Sequence, residues 1–195
     1  MSFIGAVASS VRQALALYVE EIDLPVLLVG AGNFTVASVL RSAGYSGSIT
    51  ACDVSLYTSA IGAYLADQPF QISEKEDCPE QLQGLLCMDT IVDTVASIAL
   101  LYDLRDVWQC KNPYQERIIK QYRSKWPELM KGTTEKLLAY KEHIGTIDYQ
   151  ARDGFDLLEE SNQASTVFAY PPTYKQGYEK LEKLLRASIN WEAPP

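Results

Sequence analysis

Gly30, Gly32 and Asp53 are the residues whose types and spacing could most plainly do chemistry. Gly30 permits a tight turn with positive φ, and Gly32 lets a ligand approach the backbone where a Cβ would clash. Asp53 stands 21 residues beyond Gly32. An acid at the carboxyl end of a strand in an open α/β sheet can accept hydrogen bonds from two ribose hydroxyls. The pattern therefore suits a nucleoside-containing ligand. A plainer reading stays open, in which the glycines only fit a strand-to-helix turn and Asp53 caps the next helix.

The turn also selects among ligands. A dinucleotide fingerprint needs a third glycine, so that the helix packs closely and its amides face a pyrophosphate. Position 35 is Thr and no third glycine follows, which disfavours a diphosphate. A Gly-x-Gly turn followed by a bulky residue is more typical of S-adenosylmethionine, which carries no phosphate.

These residues need elements to hold them. Residues 26–29 are an unbroken apolar run, as expected of a parallel strand covered on both faces. Residues 34–43 have helical spacing, 48–52 read as a second strand, and 54–66 as a helix capped by Asp53 or Ser55. Upstream, residues 4–21 read as an amphipathic helix. Downstream, 68–72 read as a short extended piece, 74–80 as an acidic turn, and 81–108 as one or two long helices. Helices are then expected over 113–126 and over 128–143, the latter broken near Gly132. Strands are expected at 144–149 and 165–169, with helices at 156–161 and 177–188 and no strand after them.

The chain has 195 residues and a formal charge of −8, which argues against nucleic-acid binding through the whole surface. The charge is uneven: residues 1–110 carry −9, residues 111–141 carry +5, and residues 142–195 carry −4. The basic island includes Lys111, Arg117, Lys120, Arg123 and Lys125, with Tyr114, Tyr122 and Trp126 interleaved. That combination fits phosphate contacts with aromatics available for stacking, or an ordinary solvated helix face. The four cysteines form no CxxC pair and there is one histidine, so no metal site is expected. They read as reduced thiols in a cytoplasmic protein. No basic amino-terminal region or apolar run of about 18 residues points to secretion or a membrane.

The order of these pieces resembles the S-adenosylmethionine-dependent DNA adenine-N6 methyltransferases of bacteria and phages. Three motifs carry the resemblance. Gly30-Ala31-Gly32-Asn33-Phe34 looks like the glycine motif that cradles the methionine half of the cofactor. Asp53, followed by Val54, looks like the ribose-binding acid. Ala169-Tyr170-Pro171-Pro172-Thr173-Tyr174 sits where the family has Asp/Asn-Pro-Pro-aromatic, directly after the fourth strand. In addition, Asp153-Gly154-Phe155 falls where the family contacts the cofactor adenine, with Asp153 on its exocyclic amine and Phe155 on its ring.

The resemblance implies a chemistry. An exocyclic amine is a poor nucleophile because its lone pair is delocalised into the ring. A side-chain oxygen and a backbone carbonyl of the Pro-Pro segment would accept its hydrogen bonds, and rigid prolines would hold that carbonyl in place. The aromatic would stack on the flipped-out base. Tyr170, Pro171, Pro172 and Tyr174 would form this target-base pocket. The sequence departs from the family at Tyr170, where Asp or Asn is usual, and at Thr173, with the aromatic displaced to Tyr174.

The expected fold is α/β: a Rossmann-like S-adenosylmethionine-dependent methyltransferase sheet with a helical insertion. Residues 1–67 and 144–195 would form the cofactor-binding domain. Residues 68–143 would be the insertion and candidate target-recognition region, engaging DNA through 111–141. Only one helix is expected after the Pro-Pro motif, so the sheet could be incomplete at its carboxyl-terminal side, with a further domain or partner subunit completing it. The expected activity is methylation of an exocyclic amine, adenine N6 in DNA, with RNA or protein amines as a third possibility. The alternative is a catalytically inactive cofactor-binding or interaction module.

Overall fold

The computed structural model describes residues 7–161, 164–169 and 182–192. Its centre is a four-stranded parallel sheet of β1 (Val26–Val29), β2 (Ile49–Asp53), β4 (Asp148–Ala151) and β5 (Thr166–Ala169), in the order β4-β2-β1-β5. Val26 lies opposite both Ile49 and Thr166, and Thr50 opposite Asp148. The chain moves outward from β1 through β2 to β4, then returns to β5 on the other side of β1. That reversal is the topological switch point of a doubly wound sheet, where ligands bind beyond the carboxyl ends of the strands.

Alternation along β1 divides the core. Val26 and Leu28 face the main hydrophobic cluster. Leu27, with Val29 packed beside it, joins Cys52 and Leu157 in a smaller one under α7 (Gly154–Glu160). On the main face lie α2 (Thr35–Ser42) and α3 (Leu56–Leu65). All ten residues of α3 are buried, with the Thr58 and Ser59 hydroxyls paired to Ser55 and Tyr149. Gly62 lets α3 close on the sheet, because a Cβ there would run into the Tyr149 ring. The Tyr149 hydroxyl pairs with Ser59 Oγ at 2.9 Å and donates to the Asp53 carbonyl at 3.1 Å, tying α3 to β2 and β4.

α1 (Ser9–Tyr18) packs on α2, and α4 (Ile91–Asp103) packs on α3. α4 also packs on α6 (Trp126–Ile144), which touches α2. The helices of residues 68–143 thus share the main hydrophobic cluster with the sheet. Between α4 and α6 lies α5 (Pro113–Ser124), capped by Asn112, whose side chain accepts from the Gln115 amide.

Several expected boundaries move. α6 runs unbroken through Gly132, whose missing side chain faces open space. One interior glycine costs about 1 kcal/mol, which burial of Thr133, Leu137 and Ile144 on the same helix outweighs. The strand expected from residue 144 starts at Asp148, because Gly145 ends α6 at φ 71°. Residues 81–84 form turns instead of helix, with Gly84 at φ 70°. The extended piece lies at β3 (Ser73–Glu74), just after the expected 68–72. It pairs antiparallel with β6 (Ile189–Asn190), a strand not expected after α8 (Lys183–Ser188).

Candidate functional site

The glycine turn is bound to β2 before any ligand arrives. The Gly30 and Ala31 amides both donate to the Cys52 carbonyl, at 3.1 and 3.0 Å. The Gly32 amide donates to Asp53 Oδ2 at 3.0 Å. Gly30, Gly32 and Phe34 have φ of 73°, 54° and 55°. A left-handed phenylalanine is uncommon; here its fully buried ring packs 5.9 Å from that of Tyr149. The ring of Phe34 therefore belongs to the core, and only its main chain stands at the turn. With three consecutive amides committed to β2, the turn is no nest for a diphosphate.

Asp53 is 4 % exposed. Its other oxygen accepts the Ser55 amide at 3.0 Å. Burial pushes its carboxyl above the usual carboxylate range, against the opposing pull of the Ser55 and Gly32 amides. An ionised carboxylate has about four acceptor sites, so two amides leave acceptor capacity for hydroxyl donors. The cap of α3 is the Ser55 side chain, which accepts from the Thr58 amide at 3.1 Å. Val54 is 37 % exposed between them.

Two further residues hold the turn. Tyr57 on α3 donates its hydroxyl to Asn33 Oδ1 at 3.1 Å, and Tyr140 on α6 donates to the Asn33 carbonyl at 2.8 Å. Asn33 is thus clamped through side chain and main chain from two helices. Glu182 approaches from the chain preceding α8. It is 2 % exposed and accepts the Tyr57 amide at 3.4 Å. Burial raises its carboxyl too, with the Tyr57 amide and the Arg186 charge opposing. Sequence reasoning missed Tyr57, Tyr140 and Glu182. The signal available for Tyr57 was a phenol in a mostly apolar helix, whose buried hydroxyl must find a partner.

Asp153 and Phe155 follow β4 at the same edge of the sheet. Asp153 Oδ1 accepts the Phe155 amide at 2.7 Å, capping α7, and the Phe155 ring is 73 % exposed. Gly154 sits against Val29, where a Cβ would collide with that side chain. Parallel strands thus bring the glycine turn, Asp53 and the Asp153–Phe155 segment to one edge. Tyr170, Pro171, Pro172 and Tyr174, which follow β5 in the sequence, lie outside the described residues.

The basic residues form a separate surface. Ile119 anchors α5 in the core. Lys111, Arg117, Lys120 and Lys125 are exposed. Arg123 instead turns back, donating to the Gln81 and Gln83 carbonyls at 2.8 and 3.2 Å. Tyr114 is 62 % exposed, with the Arg117 guanidinium 5.7 Å from its ring centre. Tyr122 and Trp126 are half-buried against the core.

Among the described residues, no helix is long and apolar enough to cross a membrane, and no cluster of three or more His, Cys, Asp or Glu side chains could hold a metal ion. Comparison with curated proteins finds no match, and comparison with solved structures finds none either. A family model does match, over residues 3–195: this α/β chain, with its glycine turn closed by an acid beside the switch point, belongs to the phage DNA adenine methylase-like family, domain 1.

Proposed function

We propose that the chain binds S-adenosylmethionine across the carboxyl edge of the sheet and methylates an exocyclic amine, adenine N6 in DNA. The observation that carries the reading is the 3.0 Å closure of the Gly32 amide on Asp53 beside the switch point, in a chain of a DNA adenine methylase-like family. Gly30, Ala31, Gly32 and Asn33 would border the methionine half. Asp53 would accept from the ribose hydroxyls, with Val54 beside it. Asp153, Gly154 and the open Phe155 ring would border the adenine. When bound, the cofactor supplies an electrophilic methyl group on a sulfonium.

The chain's part is to hold the amine in line with that methyl group and to accept its hydrogen bonds. The amine nitrogen would take the methyl group that the cofactor supplies, and its extra proton would leave to solvent. Tyr170 and the carbonyls of Pro171 and Pro172 would accept from the amine, and Tyr174 would stack on the base. Lys111, Arg117, Lys120, Arg123 and Lys125 would contact DNA phosphates, Arg123 after releasing its carbonyl partners. The assignment of residues 68–143 to target recognition, the cytoplasmic setting, and a further domain or partner subunit completing the sheet belong to the same proposal.

The test is radiolabelled methyl transfer to unmethylated DNA. Wild type should label DNA. Tyr170→Phe, which removes only the hydroxyl, should lose on the order of 100-fold in turnover with cofactor affinity unchanged. A wild type that binds cofactor and labels no DNA, RNA or protein amine would make the chain a binding module instead of an enzyme.

A further inference from the structure

A cleft of about 970 Å³ opens beside the edge strand β4, between the outer face of α3, residues 68–73 and the β6 end of the chain. None of the glycine turn, Asp53 or the Asp153–Phe155 segment lines it. Its size lies at the upper end of the range for small-molecule sites, roughly 300–1,000 Å³. Phe70 and Trp191 form one wall, their ring centres 6.2 Å apart and their planes inclined at 36°. The buried Tyr149 also lines the cleft. Both wall residues are only partly buried, so aromatic surface faces the opening. Flat aromatic walls of this kind suit a planar ring.

The polar lining selects further. The Gln68 amide nitrogen is committed to the Tyr149 carbonyl at 3.0 Å. The Asn190 amide nitrogen is committed to Ser73 Oγ at 3.1 Å. With one N–H of each amide so engaged, the carbonyl oxygens of Gln68 and Asn190 are the acceptors these two lining residues bring to the cleft. Glu182, buried at the same lining, is another acceptor and is ion-paired with Arg186 at 3.5 Å. Among the described lining residues the formal charges of Lys75 and Arg186 are balanced by those of Glu182 and Glu192, so these residues give phosphate no net attraction. An uncharged planar ligand carrying an amino group satisfies both features.

We infer that this cleft is a second binding site, for an amino-bearing nucleobase such as adenine, carried either by a free nucleoside or by an unpaired nucleotide of a strand. The base stacks on Phe70 and Trp191 and donates its exocyclic amine to the amide oxygens of the lining. The site is separate from the glycine turn, so it stands or falls independently of cofactor binding.

The experiment is photo-cross-linking of 8-azidoadenosine to the full wild-type chain, with the labelled peptide identified by mass spectrometry. Label on the peptides holding Phe70 or Trp191, persisting under saturating S-adenosylhomocysteine, is the expected result. Inosine, which lacks the amine, should compete at least about tenfold less well than adenosine, the loss of one hydrogen-bonded donor. Trp191→Ala should reduce labelling roughly tenfold and Trp191→Phe should restore it. Competition by adenosine alone assigns the site to free nucleosides. Competition by a single-stranded oligodeoxyadenylate as well assigns it to a strand. Label confined to other peptides, or displaced by S-adenosylhomocysteine, overturns the inference, and the wild-type map decides this even if Trp191→Ala does not fold. Failure of the wild type to bind S-adenosylhomocysteine would sink the methyltransferase reading and leave the cleft's label unchanged.

Discussion

Around the glycine turn, a buried carboxylate holds the Gly32 and Ser55 amides while two tyrosine hydroxyls fix Asn33. On the basic surface, Lys111, Arg117, Lys120 and Lys125 stand in solvent, and Arg123 makes its bonds to a neighbouring loop. The first region is preorganised, with its geometry set by groups that cannot leave without exposing unpaired amides. The second is an electrostatic surface whose side chains can rearrange around whatever they meet. Substitutions should therefore act on different quantities in the two regions: stability and small-ligand affinity at the turn, salt-dependent association on α5.

The largest effect is expected from Asp53→Ala. Two amides lose their acceptor, Gly32 and Ser55, at a cost of about 2–4 kcal/mol, read as a lower denaturation midpoint. Unchanged stability would mean that water satisfies both amides and that the turn is not preorganised in the way described.

Tyr140→Phe should have a smaller effect. It removes one hydrogen bond, the 2.8 Å bond to the Asn33 carbonyl, worth about 0.5–1.5 kcal/mol. Hydrogen exchange in the peptide spanning residues 30–35 should speed up, while that of β4 stays the same. Equal loss of protection across the whole chain would show that Tyr140 is a packing residue and not a clamp on the turn.

Charge reversal of Lys111, Arg117, Lys120 and Lys125 together should change stability least, about 0.5 kcal/mol or less per site. DNA affinity should fall and its salt dependence flatten, with cofactor affinity untouched. Equal DNA affinity before and after reversal would return α5 to the status of a solvated face.

The same contrast explains what could be read from the sequence. The turn and its acid were legible because strand, turn, helix and strand follow one another within residues 26–53, where local spacing governs geometry. The parallel β1–β2 pair at its expected place follows from that. Tyr140 and Glu182 were not legible, since they reach Asn33 and the Tyr57 amide across 107 and 125 residues. The burial of the Phe34 ring was not legible either, because it follows from a left-handed backbone that residue type alone does not announce. Gly132 and Gly62 look alike in sequence as helix glycines. Only packing distinguishes them, one facing open space and the other the Tyr149 ring. The short β3–β6 pair escaped because two-residue strands carry no periodicity to detect.

The central claim is that the turn closed by Asp53 is a cofactor site, and titration calorimetry with S-adenosylhomocysteine tests it most directly. The account predicts saturable one-to-one binding by the folded wild type, weakened about tenfold to a hundredfold in Asp53→Ala by loss of charge-assisted bonds. Absence of heat and of competition with S-adenosylmethionine in a wild type shown to be folded would contradict it.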